Sequence, residues 1–246
     1  MLEATGLTKR FGGLLAVSDA SLRVDAGSIV ALIGPNGAGK TTLFALLSGF
    51  HRPDAGRVVF DGVDVTGQAP HRVAARGMVR TFQIVQPFGA LTVRENVAVG
   101  AHLRVGDRRE ALALAGEVAT RLGMGAMLDK PASALTVAGR KRLEVARALA
   151  TCPKLVLLDE VMAGLNPTEI DEIVPMIRAI RDAGTTVLLI EHVMRAVMQL
   201  SERVYVLNQG SMIAEGMPQD VAARPDVIEA YLGYGAAADR LAGAGA

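Results

Sequence analysis

The chain has 246 residues, of which 50% are hydrophobic and 21% are charged, a composition typical of globular rather than disordered proteins. Its formal net charge of +1 leaves no basic excess, which argues against nucleic acid as a partner. A single cysteine excludes an internal disulfide, and no apolar run approaches the roughly 18 residues that a membrane span needs, so we expect a soluble chain.

Short apolar runs alternate with helical patterns along much of the chain. Three runs are continuously apolar, as strands covered on both faces of a parallel sheet are, and they occupy 28–34, 154–160 and 185–191. Helical patterns follow these runs at 39–48, 167–182 and 192–201. Strands that alternate with helices predict an α/β fold with crossover helices.

Other regions break this alternation. A stretch at 56–67 turns at Asp61-Gly62 and predicts a β-hairpin, and a second hairpin is predicted at 203–216. The region from about 84 to 150 lacks strong strand patterns and is predicted to be a helical subdomain inserted in the core. The Ala/Gly-rich end, about 235–246, is predicted to be a flexible tail.

A glycine-rich stretch, GPNGAGKTT, follows the first buried run and opens the first predicted helix. It fits G-x-x-x-x-G-K-[ST], in which glycines let main-chain N–H groups surround phosphates. Lys40 would reach the β- and γ-phosphates, and the hydroxyl of Thr41 would ligate Mg²⁺. The predicted nucleoside triphosphate site consists of Gly34, Pro35, Asn36, Gly37, Ala38, Gly39, Lys40, Thr41 and Thr42.

Two acidic residues end the second apolar run, LVLLDE. Alone, such a pair is often a solvated strand end. With a phosphate loop in the chain, Asp159 is expected to hold Mg²⁺ through water and Glu160 to polarise the attacking water as general base.

The stretch SALTVAGRKRLEVARALA, 133–150, places a small-residue turn before a basic amphipathic helix. Such a helix start could bind a phosphate through its unpaired N–H groups. It could equally be an ordinary start with Thr136 as N-cap. The residues alone leave both interpretations open.

Taken together, these motifs resemble the ATP-binding subunits of ABC transporters, over nearly the whole chain and in the family's order. Further matches are RTFQ (80–83), LDEVMAGLNPTE (158–169), IEHVM (190–194) and LTKRFGG (7–13). The resemblance implies a P-loop NTPase cassette with a RecA-like parallel sheet core, an antiparallel β subdomain and an inserted helical subdomain. It implies a single ATPase domain over 1–246.

The resemblance also implies roles for particular residues. Gln83 would touch Mg²⁺ and the attacking water, His192 would lie near the γ-phosphate, and Phe11 would stack on adenine. The implied catalytic residues are thus Glu160, His192 and Gln83, and the implied metal residues are Thr41, Gln83 and Asp159. A loop that crosses the dimer interface would consist of Ala163, Gly164, Leu165 and Asn166.

The family's Leu-Ser-Gly-Gly-Gln signature is replaced here by LTVAG, which comprises Leu135, Thr136, Val137, Ala138 and Gly139. In the family this loop closes over the γ-phosphate of ATP held by the other subunit. Thr136 keeps a hydroxyl, Ala138 adds a Cβ that is tolerated at negative φ, and Gly139 lacks the glutamine amide. We expect a working but slowed phosphate clamp.

Within the family the chain is most similar to ATPases of importers for branched-chain and similar hydrophobic amino acids. The similarity lies in FGGLLAV (11–17), PFGALTVRENV (87–97), AGLNP (163–167) and IEAYLG (228–233). It implies ATP and Mg²⁺ as cofactors and a peripheral position on the cytoplasmic side of the cell membrane. The implied partners are a second ABC ATPase subunit (the same or a different chain), integral membrane permease subunits and, indirectly, a solute-binding protein.

Three alternatives stay open at this stage. The chain could serve a related importer for urea, short amides or aromatic acids. It could be a soluble ABC ATPase of repair or translation, although these generally carry long insertions or tandem cassettes. It could also be a regulatory module that does not hydrolyse nucleotide, against which Glu160 and His192 argue.

Overall fold

The computed structural model describes residues 1–83 and 86–232, apart from the side chain of residue 232. The described residues form ten strands and nine α-helices. The strands are β1 (Leu2–Phe11), β2 (Leu14–Val24), β3 (Ile29–Ile33), β4 (Ala55–Phe60), β5 (Val63–Asp64), β6 (Met78–Arg80), β7 (Leu155–Asp159), β8 (Thr186–Ile190), β9 (Arg203–Asn208) and β10 (Ser211–Gly216). The helices are α1 (Lys40–Leu47), α2 (Pro70–Arg76), α3 (Val93–Ala101), α4 (Arg108–Arg121), α5 (Val137–Leu149), α6 (Pro167–Asp182), α7 (Met194–Leu200), α8 (Pro218–Ala222) and α9 (Pro225–Leu232).

The three continuously apolar runs are confirmed as strands β3, β7 and β8, each one residue shorter at either end than predicted. Every residue of these strands is buried. The helical patterns that follow them are confirmed as α1, α6 and α7. Helix α6 begins where predicted because Asn166 and Glu169 form a capping box and Pro167 takes the first helical position.

The chain folds into two compact units, one of residues 1–69 with residues from 188 onward and one of Pro70–Val187. In the first unit, an antiparallel sheet has the order β2-β1-β4-β5. Strand β9 pairs with β3 in parallel and with β10 in antiparallel fashion. Both predicted hairpins are confirmed as β4–β5 and β9–β10, and the first turns at Asp61 and Gly62 with positive φ values of 50° and 77°.

In the second unit, β6 pairs in parallel with β7. Between 86 and 150 the described residues are largely helical, and the isolated bridge between Thr92 and Pro131 is the β structure among them. Helix α3 starts with a Thr92–Glu95 capping box, and Asp107 caps α4. The subdomain boundaries and the single domain over 1–246 stay predictions, and the predicted tail at 235–246 lies outside the described residues.

None of the helices in the described part of the chain combines the length and apolar character required to cross a membrane.

Candidate active site

The phosphate loop lies between β3 and α1 in the first unit, and two of its glycines are sterically required. Gly34 has φ +150°, and a Cβ there would lie 2.0 Å from the carbonyl oxygen of Leu207. Gly39 has φ +103°, and a Cβ there would lie 2.3 Å from the carbonyl oxygen of Ala16. Strands β2 and β9 therefore hold the loop so closely that side chains are excluded at both positions.

Lys40 is folded over its own loop. Its ammonium donates to the carbonyl oxygens of Gly34 at 2.8 Å and Pro35 at 2.9 Å, and the residue is 7% exposed. Thr41 and Thr42, in the first turn of α1, are exposed and half-buried, respectively. A positive side chain, helix N–H groups and an accessible hydroxyl thus meet at one helix start, as a phosphate site requires.

Phe11 and His192 also belong to the first unit. Phe11, at the end of β1, is 43% exposed, and its ring contacts the His51 ring edge-on with 5.2 Å between centroids. Because Phe11 is this exposed, it is not a core residue, and part of its ring surface is accessible to a nucleotide base. His192 is exposed and lies between β8 and α7.

In the second unit, the structure brings Gln83 and Glu160 together. The Gln83 Nε2 donates to the Glu160 Oε2 at 2.6 Å. Glu160 follows β7 directly and has φ +49°, a conformation that is uncommon for a residue with a side chain. Such local strain persists when surrounding contacts hold it, and it is frequent where side chains are oriented for function.

Asp159, the last residue of β7, forms a buried ion pair with Arg80 at the end of β6. Arg80 Nη2 lies 2.7 Å from Asp159 Oδ2, and the two side chains are 7% and 1% exposed. Burial raises the pKa of Asp159 above its ordinary value, while the Arg80 hydrogen bond and charge lower it. The Asp159 N–H donates to the hydroxyl of Thr81 at 3.1 Å, which fixes the main chain at the acidic pair.

The donor set of the site fits Mg²⁺. Among the residues that the structure describes, Asp159 Oδ1 is buried and has no hydrogen-bond partner. The described residues contain no cluster of three or more His, Cys, Asp or Glu side chains that could hold a metal ion. The unpartnered carboxylate oxygen suits Mg²⁺, which proteins usually bind through one or two oxygen ligands together with substrate phosphates and water.

That Asp159, Thr41 and Gln83 hold the ion stays a prediction. A bound Mg²⁺ would supply positive charge that neutralises the charge developing on the phosphate oxygens.

The signature loop runs into α5. Thr136 is the N-cap, and its hydroxyl oxygen accepts from the Gly139 N–H at 3.1 Å, so the helix-cap interpretation describes the loop in this structure. Ala138 lies inside α5, where φ is negative, and its Cβ is therefore tolerated. Val137 is 57% exposed. Leu135, just before the N-cap, is buried and anchors the turn.

The predicted interface loop joins β7 to α6. Gly164 has φ +75° with open space around its Cβ position, and Ala163 donates its N–H to the Glu160 carbonyl at 3.1 Å. Leu165 donates to the carbonyl of Met162, and Asn166 caps α6. The loop thus continues directly from the catalytic candidate Glu160.

Arg80 and Lys141 also lie at the site, although the sequence did not predict them as site residues. Both stand in stretches that carry the resemblance, but their partners are distant in sequence: Arg80 is 79 positions from Asp159 and Lys141 is 58 from Gln83. No local pattern indicates such pairs. Only the parallel register of β6 and β7, with Val79 opposite Val156, places the first pair together.

Comparisons with known proteins identify the family of the chain. A family model described as "ABC transporter" matches residues 17–163. A second, described as "Branched-chain amino acid ATP-binding cassette transporter", matches residues 211–237.

Individual relatives extend the agreement to nearly the whole chain. The chain is 41% identical to the high-affinity branched-chain amino acid transport ATP-binding protein BraF of Pseudomonas aeruginosa, covering 95% of this chain and 98% of BraF. It is 42% identical to the corresponding protein LivG of Escherichia coli, with the same coverage of 95% and 98%. The crystal structure of a nucleotide-free ATP-binding cassette from an ABC transporter is similar with a TM-score of 0.87 at 31% identity, covering 95% of this chain and 99% of that one. The predicted fold class is therefore confirmed, and the chain belongs to the family of ABC transporter ATP-binding proteins.

Proposed function

We propose that this chain is the ATP-binding subunit of an ABC importer for branched-chain or related hydrophobic amino acids. It hydrolyses ATP at a dimer interface and thereby drives transport through a membrane permease. The substrate class is supported by 41% and 42% identity to BraF and LivG, each over 95% of the chain, and by the second family match at 211–237.

The observation that carries the hydrolytic function is the contact between Gln83 and Glu160, with 2.6 Å between Nε2 and Oε2. The amide of Gln83 holds one oxygen of the Glu160 carboxylate. The carboxylate acts as general base on the water that attacks the γ-phosphate. Asp159, kept in place by Arg80, contributes the carboxylate oxygen for Mg²⁺.

The nucleotide itself is bound by the first unit. The phosphate loop and Lys40 hold the phosphates, His192 lies near the γ-phosphate, and Phe11 stacks on adenine. Phosphate binding draws the Lys40 ammonium from the carbonyl oxygens of Gly34 and Pro35 to the nucleotide.

Assembly completes the site. A second ATPase subunit, identical or different, presents its interface loop and signature loop to this chain's ATP, and this chain's LTVAG loop serves the partner's. The ATPase pair docks on permease subunits at the cytoplasmic side of the cell membrane, and a solute-binding protein delivers the amino acid. No nucleic acid takes part.

Substitution of Glu160 by glutamine tests the hydrolytic function. The new side-chain amide keeps an oxygen for Gln83 but is no proton acceptor, so we expect normal ATP binding and turnover slowed at least about tenfold. The matched control is Glu117→Gln, an exposed carboxylate on α4. Near-normal turnover of the Glu160→Gln complex would remove Glu160 as general base.

The substrate class is tested separately, by reconstituting the purified transporter with its binding protein in vesicles. We expect ATP-dependent uptake of labelled leucine, isoleucine or valine. Uptake of urea, a short amide or an aromatic acid without these amino acids would assign the chain to one of the related importers instead. Purification of the chain without any membrane subunit would contradict a transport function.

A further inference from the structure

Lys141 is a buried cation on α5 that none of the motifs uses. It lies one helical turn beyond the N-terminus of α5 and is 7% exposed. Its ammonium donates to the carbonyl oxygen of Glu160 at 2.9 Å and to that of Gln83 at 3.3 Å. Lysine is rarely buried without strong partners, so this placement needs a physical reason.

The two carbonyl oxygens belong to the two residues whose side chains meet in the active site. Gln83 and Glu160 are joined at the side-chain level by the 2.6 Å amide–carboxylate contact. Lys141 joins the same two residues at the main-chain level. The charge-assisted hydrogen bonds from Lys141 therefore form a second connection between the two residues, in addition to their side-chain contact.

The Glu160 main chain is the part that needs support. Its φ of +49° lies in the left-handed region, which costs on the order of 1 kcal/mol for a residue with a side chain. Its carbonyl accepts from Lys141 and from the Ala163 N–H at 3.1 Å. Two donors on one oxygen hold the peptide in this conformation, and the conformation sets the direction of the carboxylate.

The charge of Lys141 also reaches the neighbouring acids. Burial raises the pKa of both Asp159 and Glu144, and the charge of Lys141 is one of the effects that oppose this increase. Lys141 thus sits among carboxylates while its own hydrogen bonds go to main-chain oxygens. This arrangement suits a residue that positions a peptide rather than one that pairs with a single acid.

We propose that Lys141 is a positioning residue for hydrolysis, which fixes the Glu160 peptide and the Gln83 loop so that the two side chains meet in the reactive geometry. A second part of this proposal rests on the proposed function: Lys141 also links two ATP sites. Thr136 caps the helix that carries Lys141, and the two residues are about 7.5 Å apart along its axis, so closure of Thr136 on the partner's ATP moves the support of this chain's Glu160.

The experiment measures ATP hydrolysis by the assembled transporter with Lys141→Met, which keeps the apolar stem but removes the charge and donors, and with Lys141→Arg, which keeps both. We expect Lys141→Met to lower kcat about tenfold or more with KM within about twofold, and Lys141→Arg to restore kcat to within about threefold of wild type. The control is Lys130→Met, an exposed lysine between the helices of the same unit, which should behave as wild type.

A second readout does not depend on hydrolysis. Amide hydrogen exchange at Ala163, whose N–H shares the Glu160 carbonyl with Lys141, should be faster in Lys141→Met by about tenfold and unchanged in Lys130→Met. If Lys141→Met does not fold, Lys141→Gln replaces it, and its kcat should fall at least about threefold below that of Lys141→Arg.

The proposal is overturned if the neutral variant retains kcat within about twofold of wild type, or if kcat, ATP affinity and thermal stability fall together without recovery in Lys141→Arg. Absence of hydrolysis by the wild-type transporter would instead contradict the proposed function. Even in that case the exchange at Ala163 decides whether Lys141 supports the Glu160 peptide.

Discussion

Replacing Arg80 by methionine should destabilise the chain strongly, because it leaves the carboxylate of Asp159 buried without its guanidinium. The two side chains are 7% and 1% exposed, and 2.7 Å separates the paired atoms. Removing one partner of a buried pair typically costs about 3–5 kcal/mol. This loss has an upper limit, because the unpaired Asp159 carboxylate can take up a proton instead of staying charged. Protonating a carboxyl of ordinary pKa 3.8 at pH 7 costs about 4 kcal/mol. We therefore expect a loss of about 3–4 kcal/mol in the free energy of unfolding.

Urea denaturation at pH 7 without nucleotide measures this loss in Arg80→Met, Asp159→Asn and the double variant. Because the double variant leaves no unpaired charge, it should recover at least about 2 kcal/mol relative to the sum of the single changes. The control is Arg142→Met, whose partner Glu172 is 59% exposed, and it should cost about 0–1 kcal/mol. Equal losses in Arg80→Met and Arg142→Met, or strict additivity in the double variant, would refute the buried-pair reasoning.

One surface carboxylate and the signature loop yield two further predictions. The hydrogen bond from the Thr66 hydroxyl, and after it that from the Thr66 N–H, lowers the pKa of Asp64 from 3.8 to about 2. The ionised carboxylate therefore stabilises the folded state fully above the unfolded pKa, and this stability is lost as the pH falls through about 2. The difference in unfolding temperature between wild type and Asp64→Asn should therefore be largest above about pH 5, shrink as the pH falls and disappear only below about pH 2. A difference that does not change with pH would contradict this origin. In the signature loop, Thr136→Asp keeps a cap acceptor for Gly139 but brings negative charge to the partner's phosphate, so thermal stability should persist while ATPase activity of the assembled transporter falls at least about tenfold. Normal activity in Thr136→Asp would exclude the clamp role.

Some elements could be predicted because the physical cause of their structure is visible in their own sequence. The runs that became β3, β7 and β8 are apolar throughout because both faces of each strand are covered. Helix α6 was bounded correctly because its cap and its first-turn proline are local signals. The turn at Asp61-Gly62 was predictable for the same reason, since few residue pairs adopt two positive φ values.

Other elements gave no comparable signal. Strands β1 and β2 alternate irregularly between buried and exposed residues, and their pairing contains register shifts, so no clean period exists in the sequence. Strand β6 has three residues, too few for a period. Its end nevertheless decides where Arg80 meets Asp159, and the Gln83 loop follows it. Site residues that belong to sequence motifs could therefore be proposed from the sequence, whereas Arg80, whose partner depends on the strand register, could not.

The altered signature loop keeps the main-chain groups of a helix start and changes its side chains. Val137, Ala138 and Gly139 all lie in the first turn of α5, so the glycines of the usual signature are not required by the conformation of this helix start. Alanine in a helix is more stable than glycine by about 1 kcal/mol, and Val137 adds β-branching, so the turn is stiffer here. The main-chain N–H groups and the Thr136 hydroxyl remain, and that hydroxyl accepts from the Gly139 N–H. If the loop has the proposed clamp role, we expect the functional cost of the substitution to come from the one missing glutamine amide, on a helix that Lys141 ties to Glu160.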